Sequence, residues 1–303
     1  MIESVISVSA EEYARMLPKP STAFGTSAFN QLNSSKAERV EYLVGTDASG
    51  RPAMGMVAGL RDGIWRAPFS APMAALSWHR EPSLASVGEF FTKVKERLAP
   101  LPLRIMMMPE FIDPVMAAKI SGTLINMARE VIAEFNYHYD LTLFPDFEAH
   151  LHNNARKNFH RALGAGFTFS ECDIARAYDT IRVNRSSKGY YLAMKLNDVI
   201  ATSSVIPVDA FILSLGTDDV ASAIVYRIAP GVAHVVYWGD APGYEQLRPM
   251  NILPYHIFRF YHALGYRIVN IGTSSTDGIP NHGLCNYKES IDCTTSIIPV
   301  TVI

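Results

Sequence analysis

Cysteine is scarce in this chain: Cys172, Cys285 and Cys293 are the only three in 303 residues, an odd number at scattered spacing. With no C-x-x-C pair among them, a disulfide framework, a zinc knuckle and a dithiol redox centre are excluded, and buried free thiols remain. Long apolar runs are missing as well. Nothing approaches the roughly 20 consecutive apolar residues that cross a bilayer, so a soluble chain with no membrane partner is expected. The start, Met1-Ile-Glu-Ser-Val, has no positive n-region, continuous apolar core or small-residue cleavage site, which makes the cytoplasm the expected compartment. The nine histidines include His150-Leu-His152 and the pair His256 and His262. No H-E-x-x-H accompanies them, and no cysteine or carboxylate stands at metal-ligand spacing, so no metal is expected. A Gly-x-Ser-x-Gly elbow is also lacking, which argues against a serine nucleophile. A formal net charge of −2 excludes a broad electrostatic footprint for nucleic acid, and any RNA contact would have to be local.

What is present reads as an ordinary globular chain, 49% hydrophobic and 18% charged, long enough for one large or two medium domains with proper cores. Two stretches share one punctuation. Tyr42 to Asp47, Ala53 to Ala58 and Gly63 to Pro68 read as three strands, with hairpin turns at Asp47 to Gly50 and Arg61 to Gly63. Phe211 to Gly216, Ala221 to Tyr226 and Gly231 to Trp238 repeat the plan. Each is followed by a helix and a strand. In the first copy Ser83 caps a helix with Leu84, Val87, Phe90, Phe91 and Val94 on one face, before a strand from Leu103 to Met108. In the second, a helix from Asn251 to Leu264 ends at Gly265 and leads to a strand from Arg267 to Ile271. Asp113-Pro114 then opens a helix to about Val131, followed by a strand from Tyr137 to Phe144. The second copy closes with a short helix from Asn281 to Lys288 and a strand from Ile291 to Val302.

Between the copies, Phe147, Leu151, Ala155, Phe159 and Ala162 are spaced for one apolar helix face, stopped by Gly164 and Gly166. The boundary is placed near residue 145, giving units of 1–145 and 146–303, the second beginning with this basic helix. From Tyr178 to Val208 the pattern predicts a polar loop, Asn184 to Tyr190, flanked by a short helix and a strand.

This order of elements resembles the GNAT-type acyltransferase unit. Two units in tandem resemble the Fem-type, peptidyltransferase-like branch of the GNAT-like superfamily. The residues that carry the likeness are Leu151-His-Asn-Asn-Ala-Arg-Lys-Asn-Phe-His-Arg-Ala-Leu-Gly-Ala-Gly166, similar to the inter-domain Fem helix, and Ile271-Gly-Thr-Ser-Ser with Asn281-His-Gly-Leu-Cys-Asn-Tyr-Lys288. The resemblance implies an α/β fold, a mixed sheet in two tandem GNAT-like units. It also implies an N-acyltransferase moving an acyl or aminoacyl group from acyl-CoA or aminoacyl-tRNA to a small-molecule or peptide amine. No cofactor would be tightly bound; acyl-CoA would be a co-substrate and charged tRNA a partner. Where coenzyme A enzymes place an R/Q-x-x-G-x-G/A loop, the sequence runs from Gly239 to Asn251 without that glycine pattern. That departure keeps a second reading open, a catalytically silent tandem module binding a sugar nucleotide, peptide or protein.

Candidate residues follow. Lys288 matches the lysine at the end of the Fem second unit, and its cation would stabilise the oxyanion of a tetrahedral intermediate or a phosphate. A surface lysine is the plain alternative. Tyr237 and Trp238 sit at adjacent strand positions and face opposite sides, so one of them lines a cleft, the tyrosine as a proton relay or the tryptophan as a stacking surface. Core packing is the other reading. Ser274, and beside it Thr273 and Ser275, follow a strand end where a crevice should lie, although Ser-Thr-Asp-Gly is equally good turn chemistry. Asn251 is read as the cap of a helix whose free N–H groups favour an anion, with Arg248 just upstream adding a guanidinium. Asn281 and Tyr287 form a polar cluster with Lys288. Arg156 and Arg161, with Lys157 and His160, make a basic stripe that grips phosphates or simply faces solvent.

Overall fold

The computed structural model describes residues 1–303 and divides them into two compact units. The first comprises Met1–Phe135, Ser275–Ile279 and Ser296–Ile303; the second comprises Asn136–Ser274 and Pro280–Thr295.

In the first unit β1 (Ser4–Val8), α1 (Ala10–Met16) and α2 (Ser27–Leu32) precede the antiparallel run β2 (Arg39–Thr46), β3 (Pro52–Arg61) and β4 (Ile64–Ala67). Next come β5 (Leu76–Trp78), α3 (Leu84–Leu98), β6 (Leu103–Met106), α4 (Pro114–Met127) and the start of β7 (Glu130–Asp140). β1 extends β2, β5 extends β3, and β4 pairs in parallel with β6. The sequence reasons are local. Ser83 accepts from the Ser86 N–H to start α3, and Asp113 accepts from the Met116 N–H with Pro114 in the first turn of α4. Val87, Phe90, Phe91 and Val94 are wholly buried, each contributing about 1.5–3 kcal/mol of hydrophobic stabilisation.

The second unit repeats that plan. After α5 (Phe147–His150), α6 (Asn153–Leu163), β8 (Thr168–Glu171), α7 (Ile174–Ser187) and α8 (Leu196–Thr202) comes the antiparallel run β9 (Val208–Leu215), β10 (Asp218–Ala229) and β11 (Val232–Asp240). Then follow α9 (Pro249–Ala263), β12 (Ile268–Thr273), the short strands β13 (Ser275–Thr276) and β14 (Ile279–Pro280), α10 (His282–Ser290) and β15 (Thr294–Val302). β8 extends β9, β11 pairs in parallel with β12, and β12 pairs antiparallel with Asn136 to Asp140 of β7. No helix is long and apolar enough to cross a membrane.

Three expectations are corrected. The division falls at Phe135, within β7, and not near residue 145; α4 stops at Met127 and β7 begins at Glu130. The closing strand does not stay with the second unit, because its Val300, Thr301 and Val302 pair with Met106, Ile105 and Arg104 of β6. A period-two pattern announces a strand but not its partner. The polar stretch from Asn184 is no loop at its start either: α7 runs to Ser187, with Ala177, Ile181 and Asn184 buried at helical spacing, and a second helix, α8, stands where a strand was expected.

Candidate active site

β11 and β12 are paired over only three residues, Val232, Ala233 and His234 against Ile268, Val269 and Asn270. Beyond that point β11 continues to Asp240 and β12 to Thr273 without pairing to each other. Both strands carry an extra residue at the parting. Ile224 faces Tyr237 while Val225 faces Val235, which leaves Val236 as a bulge, and the register of β12 against β7 skips Ile271. Gly272 follows with φ 77°, a conformation glycine adopts at no steric cost. A bulge and a kink at one place turn two parallel neighbours into an open wedge.

Lys288, from α10, is held at the β12 side of this parting with 2% of its surface exposed. Its Nζ donates to the carbonyls of Ile271 (3.2 Å), Gly272 (2.8 Å) and Thr273 (3.2 Å), and lies 5.3 Å from the centre of the Tyr137 ring. All three ammonium protons are therefore committed. This corrects the expectation of a direct oxyanion donor: as arranged here, Lys288 shapes the end of β12 and supplies a positive field. Burial pushes its pKa down to about 8, while the three carbonyls, which favour the ammonium, work in the other direction. His234, hydrogen-bonded at Nδ1 to Asn270 (3.0 Å), is pushed down to about 4 by burial first and by the Lys288 charge second, so it is neutral at physiological pH. Burial pushes the Cys293 thiol up, which keeps it protonated and unreactive.

Ser274 is buried, and its hydroxyl has no hydrogen-bond partner, whereas its carbonyl accepts from the Asn281 N–H (2.8 Å). An orphaned buried hydroxyl beside a wedge is the kind of group a substrate would satisfy. Asn281 caps α10 through the Leu284 N–H (3.1 Å), so its side-chain oxygen is used structurally. Ser275 is likewise spent: its hydroxyl donates to the Glu134 carboxylate and accepts from the Phe135 N–H (2.8 Å), and Glu134 also accepts from the Gly278 N–H (3.2 Å). The turn read in Ser-Thr-Asp-Gly is made by Asp277 and Gly278, both at positive φ, while the Ser275 hydroxyl ties β13 to β7.

The faces of β11 follow from β10, where Ser222 Oγ donates to the Ala177 carbonyl of α7 (2.8 Å). Ile224 shares that face and lies opposite Tyr237; Ala223 has the other face and lies opposite Trp238. Tyr237 accordingly turns toward α7 and accepts from the Met194 N–H (3.2 Å), its pKa raised by burial. Trp238 turns the other way and meets Tyr287 edge to face at 6.2 Å.

Tyr287 repairs a defect in α9. Pro254 lies inside that helix and has no N–H, which would leave the carbonyl four residues back, that of Met250, without its usual donor; the Tyr287 hydroxyl donates to it at 2.8 Å. Tyr287→Phe should therefore cost about 1–2 kcal/mol by urea denaturation, with the helix content of the folded protein unchanged by circular dichroism.

The remaining candidates move. α9 begins at Pro249, not at Asn251; the Asn251 N–H is bound to the Arg248 carbonyl (2.9 Å), and Arg248 is the exposed N-cap, at φ 60°. Pro249 donates nothing and the Asn251 N–H is already bound, so this helix start is a poor anion cradle. Arg156 is not a free phosphate grip, because its Nε donates to the Glu148 carbonyl (3.0 Å) and its terminal nitrogen to those of Ala149 (2.7 Å) and Leu151 (3.2 Å), beside a cavity of about 370 Å³. His160 pairs with Glu148 (2.8 Å), while Arg161 stands exposed on α6. His234 and Asn270 went unread in the sequence, although a polar residue inside an otherwise apolar strand is the available signal.

No family model matches the sequence, and no curated protein matches it. Among solved structures, that of FemX superposes with a TM-score of 0.67 over 98% of this chain and 96% of that one, at 8% identity. The fold is GNAT-like and is shared with FemX. The C-terminal domain of a putative lysylphosphatidylglycerol synthetase from Agrobacterium fabrum gives a TM-score of 0.61 at 11% identity, covering 97% of this chain and 92% of that one. A tandem GNAT protein from the clavulanic acid biosynthesis pathway gives 0.54 at 10%, covering 98% and 97%. At these identities the Fem-type likeness is one of backbone path, and the chemistry rests on the residues above.

Proposed function

We propose that the chain is an N-acyltransferase in which a substrate amine attacks an activated acyl carbonyl at the wedge between β11 and β12. The observation that carries this is the parting itself. Beyond the last pair the β12 carbonyls are held by Lys288, whereas the edge of β11 that faces β12 has no ladder partner and is the edge an extended acyl donor would use, with the amide of Val236, outside the register with β10, as the donor to the oxyanion. Lys288 holds the β12 carbonyls in place and favours the developing negative charge through its field. Ser274 orients the substrate amide or amine through its unengaged hydroxyl. Tyr237, kept protonated by burial, retains a proton to hand to the leaving group, while the attacking nitrogen loses its own to solvent. Positioning supplies most of the rate.

FemX and the lysylphosphatidylglycerol synthetases support the reading in kind. The poor anion cradle at α9 favours a donor that is not gripped by a pyrophosphate there, which makes an aminoacyl group on tRNA the first donor to test and acyl-CoA the second. A cytoplasmic setting belongs to the same proposal. The test offers labelled acetyl-CoA or charged tRNA together with a panel of amines: transfer of label to an amine from one donor is expected. Absence of transfer from both, with no rise in Tm from either donor, overturns the proposal. The commitment of all three Lys288 protons favours one other reading, a silent module. A rise in Tm with a sugar nucleotide or peptide but with neither donor would be its signature.

A further inference from the structure

Arg185 lies in the last turn of α7, and its guanidinium carbon is 5.9 Å from the ring centres of both Tyr190 and Tyr237. Its Nε is buried without a hydrogen-bond partner, and no carboxylate pairs with it. The neighbouring arginines differ: Arg176 is bidentate to Asp219, Arg182 to a single oxygen of Asp179, and Arg227 is bidentate to Asp209. The carboxylate at this end of β11, Asp240, is already taken by Lys188 Nζ (3.0 Å) and Asn184 Nδ2 (3.1 Å). The surrounding chain is fixed, since the Tyr178 hydroxyl donates to the Met194 carbonyl (2.9 Å) and Tyr237 accepts from the Met194 N–H.

A partly buried cation without a counter-ion is costly, and this one is flanked by aromatic rings rather than neutralised. Neither ring accepts a hydrogen bond in the guanidinium plane as a carboxylate would, so the N–H groups of Arg185 remain for a planar, bidentate acceptor. We propose that Arg185 binds an oxyanion, a carboxylate or phosphate group, carried by the amine that accepts the acyl group. Tyr237 links the two places: it borders Arg185 and stands on β11 at the wedge, on the face opposite Trp238. Identifying the anion as part of the acceptor rests on the transfer activity proposed above; the binding itself does not.

The experiment follows the arginine Nε–H resonances of the isotope-labelled chain while N-acetylalanine, as carboxylate probe, or inorganic phosphate is added. Arg185→Lys assigns the resonance. A saturable shift of the Arg185 signal with one probe is expected, together with at least a tenfold weaker affinity of Arg185→Gln by calorimetry; Arg182→Gln should bind as the wild type does. The probe that acts names the source of the anion. An Arg185 resonance unmoved by both probes, or an Arg185→Gln protein with wild-type affinity, overturns the inference. Should Arg185→Gln fail to fold, the wild-type resonance decides alone. Anion binding without acyl transfer would remove the transferase reading and leave this site standing; transfer without anion binding would do the reverse.

Discussion

Replacing Lys288 with methionine is expected to lower stability by about 3 kcal/mol, read from the urea midpoint, because a side chain of similar length fills the space while three carbonyls lose their donor. The deficit should also depend on pH. In the unfolded chain the lysine titrates near 10.5, and in the folded chain burial brings it to about 8. Between those values the unfolded state holds a proton that the folded state has released, so wild-type stability rises with pH across the window. A drop from 10.5 to about 8, at about 1.36 kcal/mol per pH unit, makes the gap between wild type and Lys288→Met widen by about 3 kcal/mol from pH 8 to 10.5. Taking the difference between the two proteins cancels the tyrosine ionisations they share. A gap that stays flat would mean that the three carbonyls outweigh burial and hold the ammonium at its ordinary pKa.

Gly272→Ala should cripple acyl transfer on the order of 10²-fold while leaving a folded protein. Its φ of 77° lies in the left-handed region, where a Cβ costs roughly 1–2 kcal/mol. That cost is tolerable for the fold. What the wedge cannot absorb is a turned peptide: the Gly272 carbonyl is the shortest of the three that Lys288 holds, at 2.8 Å, and the added methyl would lie 3.5 Å from His234 Cε1. Relieving the strain moves the end of β12 relative to the amides of β11. Rates measured alongside Tm separate the two effects; a folded variant with wild-type turnover would mean that this kink has no part in catalysis.

Much of the architecture was legible because its signals are local. Ser83, Asp113-Pro114 and Asn281 each cap the helix that follows them, and the two three-strand runs show in their turns. Lys288 entered through a resemblance, and the structure shows it buried beside the wedge; that its protons are all committed could not be read, because the carbonyls belong to a strand 15 to 17 residues away whose kink is a matter of backbone angle. Asn251 failed as a cap for a reason visible only in three dimensions: Pro249 begins the helix, and Pro254 is carried in its interior because Tyr287 supplies the missing bond. Ser275 and Arg156 looked available because their partners, Glu134 and a set of carbonyls, carry no sequence pattern. Arg185 shows the converse, a residue whose meaning lies in the lack of any partner but two rings.

The division of β15 bears on how the chain reaches its native state. Residues 296–303 belong with residues 1–135, and their backbone closes onto β6 through the Ile303 N–H to the Leu103 carbonyl (3.0 Å) and the bonds around it. During synthesis the leading half therefore waits with β6 lacking this neighbour until the trailing residues have left the ribosome. A cut at Phe135 leaves the leading fragment without the strand that residues 300–302 supply to β6, while the trailing fragment keeps every residue of the second unit.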